Sequence, residues 1–144
     1  MTLTVEKITD SESQKKAFKI RETVFVVEQG VDSRDEYDRF EESSSHFLAK
    51  LDGKAVGTAR WRFTEKGIKL ERFAVLKEAR GKGVGQALVN AVLQDISSVP
   101  EAKGKPKYLH AQLDAVPLYS KFGFEKVGET FEECGIKHSK MELA

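Results

Sequence analysis

The chain has 144 residues, of which 40% are hydrophobic and 33% charged, and this predicts one globular domain spanning residues 1–144. Its single cysteine, Cys134, excludes an intramolecular disulfide, and the balance of 24 basic against 23 acidic residues argues against non-specific nucleic-acid binding. No apolar run approaches the roughly 20 residues of a membrane-spanning helix, and residues 1–10 lack the features of a signal peptide. We therefore expect a cytoplasmic protein with no membrane partner.

The first half of the chain is predicted to consist mainly of strands. Apolar residues that alternate or run continuously predict strands at residues 2–8, 46–51, 55–63 and 68–76. Ser11 and Gln14 form a capping-box pattern that begins a helix, and apolar residues at helical spacing extend this helix to Val27. Residues 30–45 are polar and favour a loop with a short helix. Asp52 and Gly53 predict a tight hairpin turn.

The second half alternates helices with strands. An apolar stripe at helical spacing begins at Val84, and residues 114–122 predict a short helix with Asp114 as its N-cap and Gly123 at its end. Strands are predicted at residues 108–113, 124–131 and 138–143. Together these elements predict an α/β (α+β) fold, with a mixed, mostly antiparallel central sheet of about seven strands and helices on both faces.

The glycine-rich segment Arg80-Gly81-Lys82-Gly83-Val84-Gly85 lies between a buried strand and an amphipathic helix. Glycines let the backbone approach a ligand, and the N–H groups at the start of the helix attract anions, so the segment predicts a phosphate-binding cradle. Gln86 and Leu88 stand where the G-x-G-x-x-G dinucleotide motif needs its last glycine, and Gln86 also breaks the P-loop pattern. Both nucleotide motifs are therefore excluded.

The spacing that fits is R-x-x-G-x-G, formed by Arg80, Gly83 and Gly85, which resembles the acetyl-CoA pyrophosphate motif of the GNAT superfamily of N-acetyltransferases. Residues 70–75 are similar to the family's central strand, and residues 115–124 to its A-x-x-x-Y-x-x-x-G-F signature. The segment 20–29, with Gly135-Ile136 and His138 near the end, resembles a small bacterial subgroup of the family. The resemblance covers nearly the whole chain. Asp114 departs from it, because many relatives have asparagine there.

The resemblance implies an acetyl-CoA-dependent enzyme that transfers an acetyl group directly to a primary amine in a ternary complex. A backbone N–H near Val75 would polarise the thioester carbonyl, and Tyr119 would act as the catalytic acid that protonates the departing thiolate. The residues that the resemblance assigns to acetyl-CoA are Phe73, Ala74, Val75, Arg80, Gly81, Lys82, Gly83, Val84, Gly85, Asp114 and Lys121.

The general base and the acceptor contacts stay open at this point. The candidates are Glu71, Glu28, His46 and His138. Arg21 is a candidate for binding an acceptor carboxylate or for pairing with Glu28. Residues 28–42 hold seven acids and two bases, and such an acidic rim would attract a cationic amine. The histidines have no paired spacing, so we expect no metal site.

Two other functions stay open beside the N-acetyltransferase. Residues 21–28 resemble acyl-homoserine-lactone synthases, which share the fold, although the glycine-rich cradle favours coenzyme A. The second alternative is a CoA-binding module without catalytic activity, against which the presence of Tyr119 argues. For the leading function we expect a small-molecule or peptide amine as acceptor and no nucleic-acid partner, and the resemblance allows a homodimer.

Overall fold

The computed structural model describes residues 1–143. Within them, the strands are β1 (Leu3–Lys7), β2 (Ser45–Leu51), β3 (Lys54–Thr64), β4 (Gly67–Val75), β5 (Lys107–Gln112), β6 (Phe124–Glu133) and β7 (Ile136–Leu143). The α-helices are α1 (Ser11–Arg21), α2 (Ser33–Glu36), α3 (Val84–Ser97) and α4 (Val116–Ser120). A π-helix follows α1 at Glu22–Glu28, and 3-10 turns lie at Lys77–Ala79, Pro100–Ala102 and Leu113–Ala115. No helix of this part of the chain is long and apolar enough to cross a membrane.

All seven strands form one mixed sheet in the order β1-β2-β3-β4-β5-β7-β6. Every neighbouring pair of strands runs antiparallel except β4 and β5, which run parallel. The predicted fold class, with its mostly antiparallel sheet of seven strands, is therefore confirmed. The parallel pair requires a crossover, and α3 with its flanking turns supplies it.

Helices cover both faces of the sheet, as the alternation along β2 shows. Phe47 and Ala49 point into the larger core, which α3 and α4 complete, whereas Leu48 points into a smaller core with residues of α1. The two cores follow from the period of two in a strand, which sends successive side chains to opposite faces. The smaller core includes Ala17 and Ile20, and α1 lies over β2, β3 and β4.

Two predicted helix caps were wrong, and the first helix extends as far as predicted but changes type along its length. The first helix is capped by Asp10, whose carboxylate accepts a hydrogen bond from the Ser13 N–H at 2.8 Å, and not by Ser11. Its α-helical part ends at Arg21, because the chain then widens into the π-helix, where the Gln29 N–H bonds the Val24 carbonyl. Asp114 lies inside a 3-10 turn and caps no helix.

The hairpin between β6 and β7 is tighter than the sequence predicts. The two strands extend to Glu133 and from Ile136, and the turn is the pair Cys134 and Gly135. Both turn residues have positive φ, +53° and +76°, which matches the twist of a two-residue hairpin turn. Cysteine at such a position gives no turn signal, so the sequence predicted a longer loop.

Candidate active site

The parallel strands β4 and β5 separate soon after they begin. They pair only from Ile68 with Lys107 to Leu70 with Leu109, while β5 stays paired with β7 as far as Gln112. A bulge at this point shifts β4 relative to β3, and it contains Arg72 with a φ of +58°. The β5-facing edge of β4 is consequently without a strand partner from residue 71 to 75. An extended ligand chain can pair with such an edge.

The glycine-rich segment lies at the start of α3, directly beyond this open edge. Gly81 and Gly83 have φ values of +79° and +83°, and nothing lies within 4 Å of where their Cβ atoms would be. Gly85 serves packing instead, because a Cβ there would be 3.2 Å from Leu118 Cδ2. Helix α3 has no side-chain N-cap, so its first N–H groups face the space above the glycines. The combination of free N–H groups and open glycine backbone suits a phosphate group.

Arg80 borders the cradle and is held by two partners. Its guanidinium donates to both carboxylate oxygens of Glu28, at 2.6 and 2.7 Å, and to the Val75 carbonyl at 3.1 Å. This hydrogen bonding and the charge of Arg80 lower the pKa of Glu28. Glu28 therefore lies beside the cradle and pairs with Arg80, so the predicted pairing of Arg21 with Glu28 is wrong. Lys82, Asp114 and Lys121 are exposed: Lys82 lies between Gly81 and Gly83, Asp114 in the 3-10 turn before α4, and Lys121 directly after α4.

A cavity of about 170 Å³ lies where β4 and β5 separate, and side chains from both faces of the sheet line it. Leu70, Leu109 and Tyr119 come from the face that α3 and α4 cover. Glu71, His110, Gln112 and His138 come from the opposite face. The cavity thus connects the cradle side of the sheet to the side on which α1 lies.

Tyr119 lies at the cradle side of this cavity. Its ring packs edge-on against Phe73 and Phe124, with centroid distances of 5.6 and 6.2 Å. No group of residues 1–143 hydrogen-bonds its hydroxyl, and burial raises the pKa of the phenol above its ordinary value of 10.0. The hydroxyl is therefore protonated at neutral pH and available to donate a hydrogen bond to a ligand.

Two histidines occupy the other side of the cavity. The Nδ1–H of His138 donates to the Ile136 carbonyl at 2.7 Å, which leaves Nε2 with its lone pair. Its ring stacks on Phe131. His110 Nδ1 lies 3.3 Å from Glu133 Oε2, and this contact lowers the pKa of Glu133 to about 2. The sequence prediction did not include His110 among the site residues. His110 lies two residues before Gln112 in a predicted strand, so both side chains project from the same face of the sheet, and both line the cavity.

Glu71 lines the cavity but is occupied by cations. Its Oε2 accepts hydrogen bonds from Arg60 Nε at 2.7 Å and Arg62 Nε at 2.8 Å, and Lys69 Nζ lies 3.3 Å from Oε1. Burial opposes ionisation of Glu71, but these cations outweigh burial, and the pKa of Glu71 is lowered. A carboxylate held in this way is a poor proton acceptor, so the structure argues against the predicted base role of Glu71.

Arg21 and His46 lie away from the cavity. Arg21 is 1% exposed and forms ion pairs with Glu36 at 2.9 Å and Glu41 at 2.8 Å. His46 is buried, and its Nε2–H donates to the Glu41 carbonyl at 2.7 Å. Neither side chain lines the cavity, so the structure does not support the predicted contacts of these residues with the acceptor.

The acidic segment 28–42 does not form the predicted acidic rim, because ion pairs with arginines of the protein interior neutralise much of its negative charge. Glu36, Asp38 and Glu41 are paired with arginines of α1, β3 and β4: Arg21, Arg60 and Arg72. Burial disfavours the charged form of Asp38, yet its bonds with Arg60 lower the pKa to about 2. These ion pairs fix the segment against the sheet, and two of its acidic residues, Asp35 and Glu36, line the cavity.

Comparisons with known proteins agree with this arrangement. The chain is 40% identical over 133 residues to YjcF of Bacillus subtilis (strain 168), an uncharacterized N-acetyltransferase, and the match covers 92% of this chain and 93% of YjcF. The fold is similar to that of an acyl-CoA N-acyltransferase from Pseudomonas aeruginosa, with 25% identity, a TM-score of 0.80 and full coverage of both chains. It is also similar to a GNAT family acetyltransferase from Elizabethkingia anophelis with acetyl-CoA bound, with 16% identity, a TM-score of 0.72, and coverage of 98% and 97%.

The family assignment rests on the whole domain and not on the cradle alone. The Acetyltransferase (GNAT) domain profile matches residues 8–144, so it includes α1 as well as the glycine-rich segment. The resemblance seen in the sequence is therefore confirmed. The chain belongs to the GNAT family of acetyltransferases and is an acyltransferase.

Proposed function

We propose that the chain is an acetyl-CoA-dependent N-acetyltransferase that transfers the acetyl group directly to a primary amine. The observation that carries the proposal is the continuity of three features: the open glycine cradle at α3, the unpaired edge of β4, and the cavity between β4 and β5. Acetyl-CoA has a phosphate-bearing end, an extended arm and a reacting thioester. In that order, these parts fit the cradle, the β4 edge and the cavity.

The residues present fit acetyl-CoA. Gly81 and Gly83 leave open space above a helix N-terminus, which suits the pyrophosphate, and Arg80 adds a cation beside it. The Leu76 N–H bonds the Val56 carbonyl of β3 at 2.8 Å. Neighbouring backbone groups of an extended chain alternate in direction, so the Val75 N–H faces the open edge. That N–H is the group we assign to the thioester carbonyl.

Acetyl-CoA supplies an activated acyl group and a thiolate leaving group, and the protein supplies proton transfer at both ends of the cavity. His138 Nε2 is the proposed acceptor of the amine proton, because it is the free nitrogen of a ring fixed by the Ile136 carbonyl. The Tyr119 hydroxyl is the proposed donor to the thiolate, on the cradle side of the sheet. His110 with Glu133 is the nearest alternative base.

Direct transfer is favoured over an acylated enzyme. Cys134 is the one thiol that lines the cavity among residues 1–143, and burial with the nearby charges of Asp35 and Glu133 raises its pKa. Because the thiolate is the nucleophilic form, a thiol with a raised pKa is a weak nucleophile at neutral pH. We therefore propose that the amine attacks the thioester itself, with both substrates bound.

The proposal is tested by calorimetric binding of acetyl-CoA and by thiol release in the presence of a panel of amines. Gly83→Ala should weaken acetyl-CoA binding, because a Cβ would intrude on the cradle. Gly104→Ala is the matched control, since Gly104 has a similar φ of +80° and equally open surroundings away from the cradle. Equal affinities in the two variants, or no binding to the wild-type chain, would contradict the proposal. Binding without amine-dependent thiol release would indicate a CoA-binding module.

A further inference from the structure

A second depression adjoins the cavity. It lies on the same face of the sheet as α1, in the part of that face that α1 does not cover. We call it the basic groove; it has a volume of about 550 Å³ and is defined by Arg39, Phe40, Arg62, Lys66, Tyr108 and Lys140. Lys69 and His110 line both the cavity and the groove, so the two spaces are continuous. The cavity alone is smaller than the roughly 300–1,000 Å³ of common ligand sites, whereas the groove provides the missing room.

The charge of the groove is strongly one-sided. Five cationic side chains line it, counting Lys69, against the single carboxylate of Glu65. Arg62 and Lys69 share one carboxylate, Glu71, which Arg60 also contacts, so positive charge exceeds negative charge at this point. Arg39 and Lys66 form no ion pair with any described residue. The groove therefore carries unneutralised positive charge beside the reacting centre.

Strand geometry gives the spacing between the backbone positions of the proposed base and of Lys140, one of these cations. His138 and Lys140 lie two residues apart on β7, so their side chains project from the same face. Two residues of an extended strand span about 7 Å. Lys140 is paired with His110, which places it at the boundary between cavity and groove. Its ammonium lies 5.3 Å from the centroid of the Tyr108 ring and 3.3 Å from Glu142.

We propose that the acceptor amine carries an anionic group, a carboxylate or a phosphate, which binds in the basic groove while the amine lies at His138. This inference rests on the proposed N-acetyltransferase function and specifies its substrate class. An acceptor with about 7 Å between amine and anion matches the strand spacing. The positive charge of the groove also disfavours an acceptor whose far end is a second cation.

The test compares 4-(aminomethyl)benzoate with its neutral analogue 4-(aminomethyl)benzamide, and includes 4-(aminomethyl)phenyl phosphate to distinguish carboxylate from phosphate. We expect kcat/KM at least tenfold higher for one of the anions than for the amide. The variant Arg39→Gln/Lys66→Gln/Lys140→Gln should reduce that ratio to less than threefold. The control Lys15→Gln/Lys16→Gln/Lys19→Gln removes the same charge from exposed positions of α1 and should keep the ratio.

A binding measurement keeps the inference testable if none of the three amines is a good substrate. In a ¹H–¹⁵N NMR titration of the CoA-saturated chain, the anions should shift the backbone amides of Lys66, Lys69 and Lys140 more than the amide does. Equal shifts from all three compounds, or no shifts, would overturn the inference while leaving the proposed function intact. A failure of CoA itself to shift the amides of residues 81–85 would instead overturn the proposed function.

Discussion

The ion pair between Arg21 and Glu36 fixes the acidic segment 28–42 to α1, and its strength can be measured. Arg21 Nε and Nη2 each donate to the Glu36 carboxylate at 2.9 Å, and both side chains are 1% exposed. The substitution Glu36→Gln keeps the shape of the side chain and removes its charge. Arg21 then retains Glu41 as its anionic partner, which is 17% exposed and accepts bonds of 2.9 and 2.8 Å, and the Glu36 backbone carbonyl at 3.1 Å.

The expected loss of stability follows from the burial of this pair. Removing one partner of a buried ion pair costs about 3–5 kcal/mol, because it leaves a charge without compensation. Glu41 still neutralises part of the Arg21 charge, so we expect a loss near the lower value, about 3 kcal/mol. For a chain of this size each kcal/mol lowers Tm by about 2–4 °C, which gives a decrease of about 6–12 °C.

Urea unfolding and calorimetry measure this loss, and Asp32→Asn is the control. It makes the same carboxylate-to-amide change in the Asp32–Arg34 pair, whose side chains are 43% and 88% exposed, so it should cost far less stability than Glu36→Gln. In kinetics, Glu36→Gln should raise KM for the amine and leave the Kd of CoA unchanged, because Glu36 lines the cavity and not the cradle. Equal destabilisation of the two variants would refute the reasoning from burial.

Three further predictions concern the acid, the cradle and acid stability. Tyr119→Phe should lower kcat at least about 100-fold with an unchanged Kd for CoA, and an unaltered kcat would remove the acid role. Arg80→Gln should weaken CoA binding about tenfold, as loss of a charged hydrogen bond predicts, but leave KM for acetyl-pantetheine unchanged; equal effects would place Arg80 outside the phosphate site. The pKa of Asp38 is depressed from 3.8 to about 2, so the folded state releases this proton more readily than the unfolded state. Its contribution, about 2 kcal/mol, is present above pH 4 and lost as pH falls toward 2, and Asp38→Asn should flatten that part of the stability curve in urea titrations at successive pH values.

The open glycine turn at the start of α3 was predictable because its determinants are local. Six consecutive residues from Arg80 to Gly85 set the glycine conformations, and the helix that follows supplies the N–H groups. Tyr119 likewise lies in a short signature that fixes its distance from Gly123. Hydrophobic periodicity was informative for strands with buried side chains, such as β2, β3, β4 and β5, whereas β6 buries only Phe124.

The ion pairs of the acidic segment 28–42 were not predictable, because they join residues far apart in sequence. Glu28 and Arg80 are 52 residues apart, and Arg21 and Glu36 are 15 apart. Local spacing suggested that Arg21 pairs with Glu28, seven residues along one helix, but the π-helix changes which residues share a face. Charge patterning likewise indicated an acidic rim. That prediction failed because the charge pattern cannot show that arginines of other elements neutralise those acids.

Arg72 connects the bulge in β4 with the acidic segment 28–42. A residue other than glycine with a φ of +58° costs on the order of 1–3 kcal/mol, so tertiary contacts must hold it there. Its guanidinium provides them, with Nε 3.2 Å from Glu36 Oε1 and Nη2 3.3 Å from Asp38 Oδ2. The bulge leaves the β5-facing edge of β4 open, and the side chain of the same residue holds the acidic segment 28–42 against the sheet. Because one residue does both, the geometry of the open β4 edge is coupled to the position of this segment.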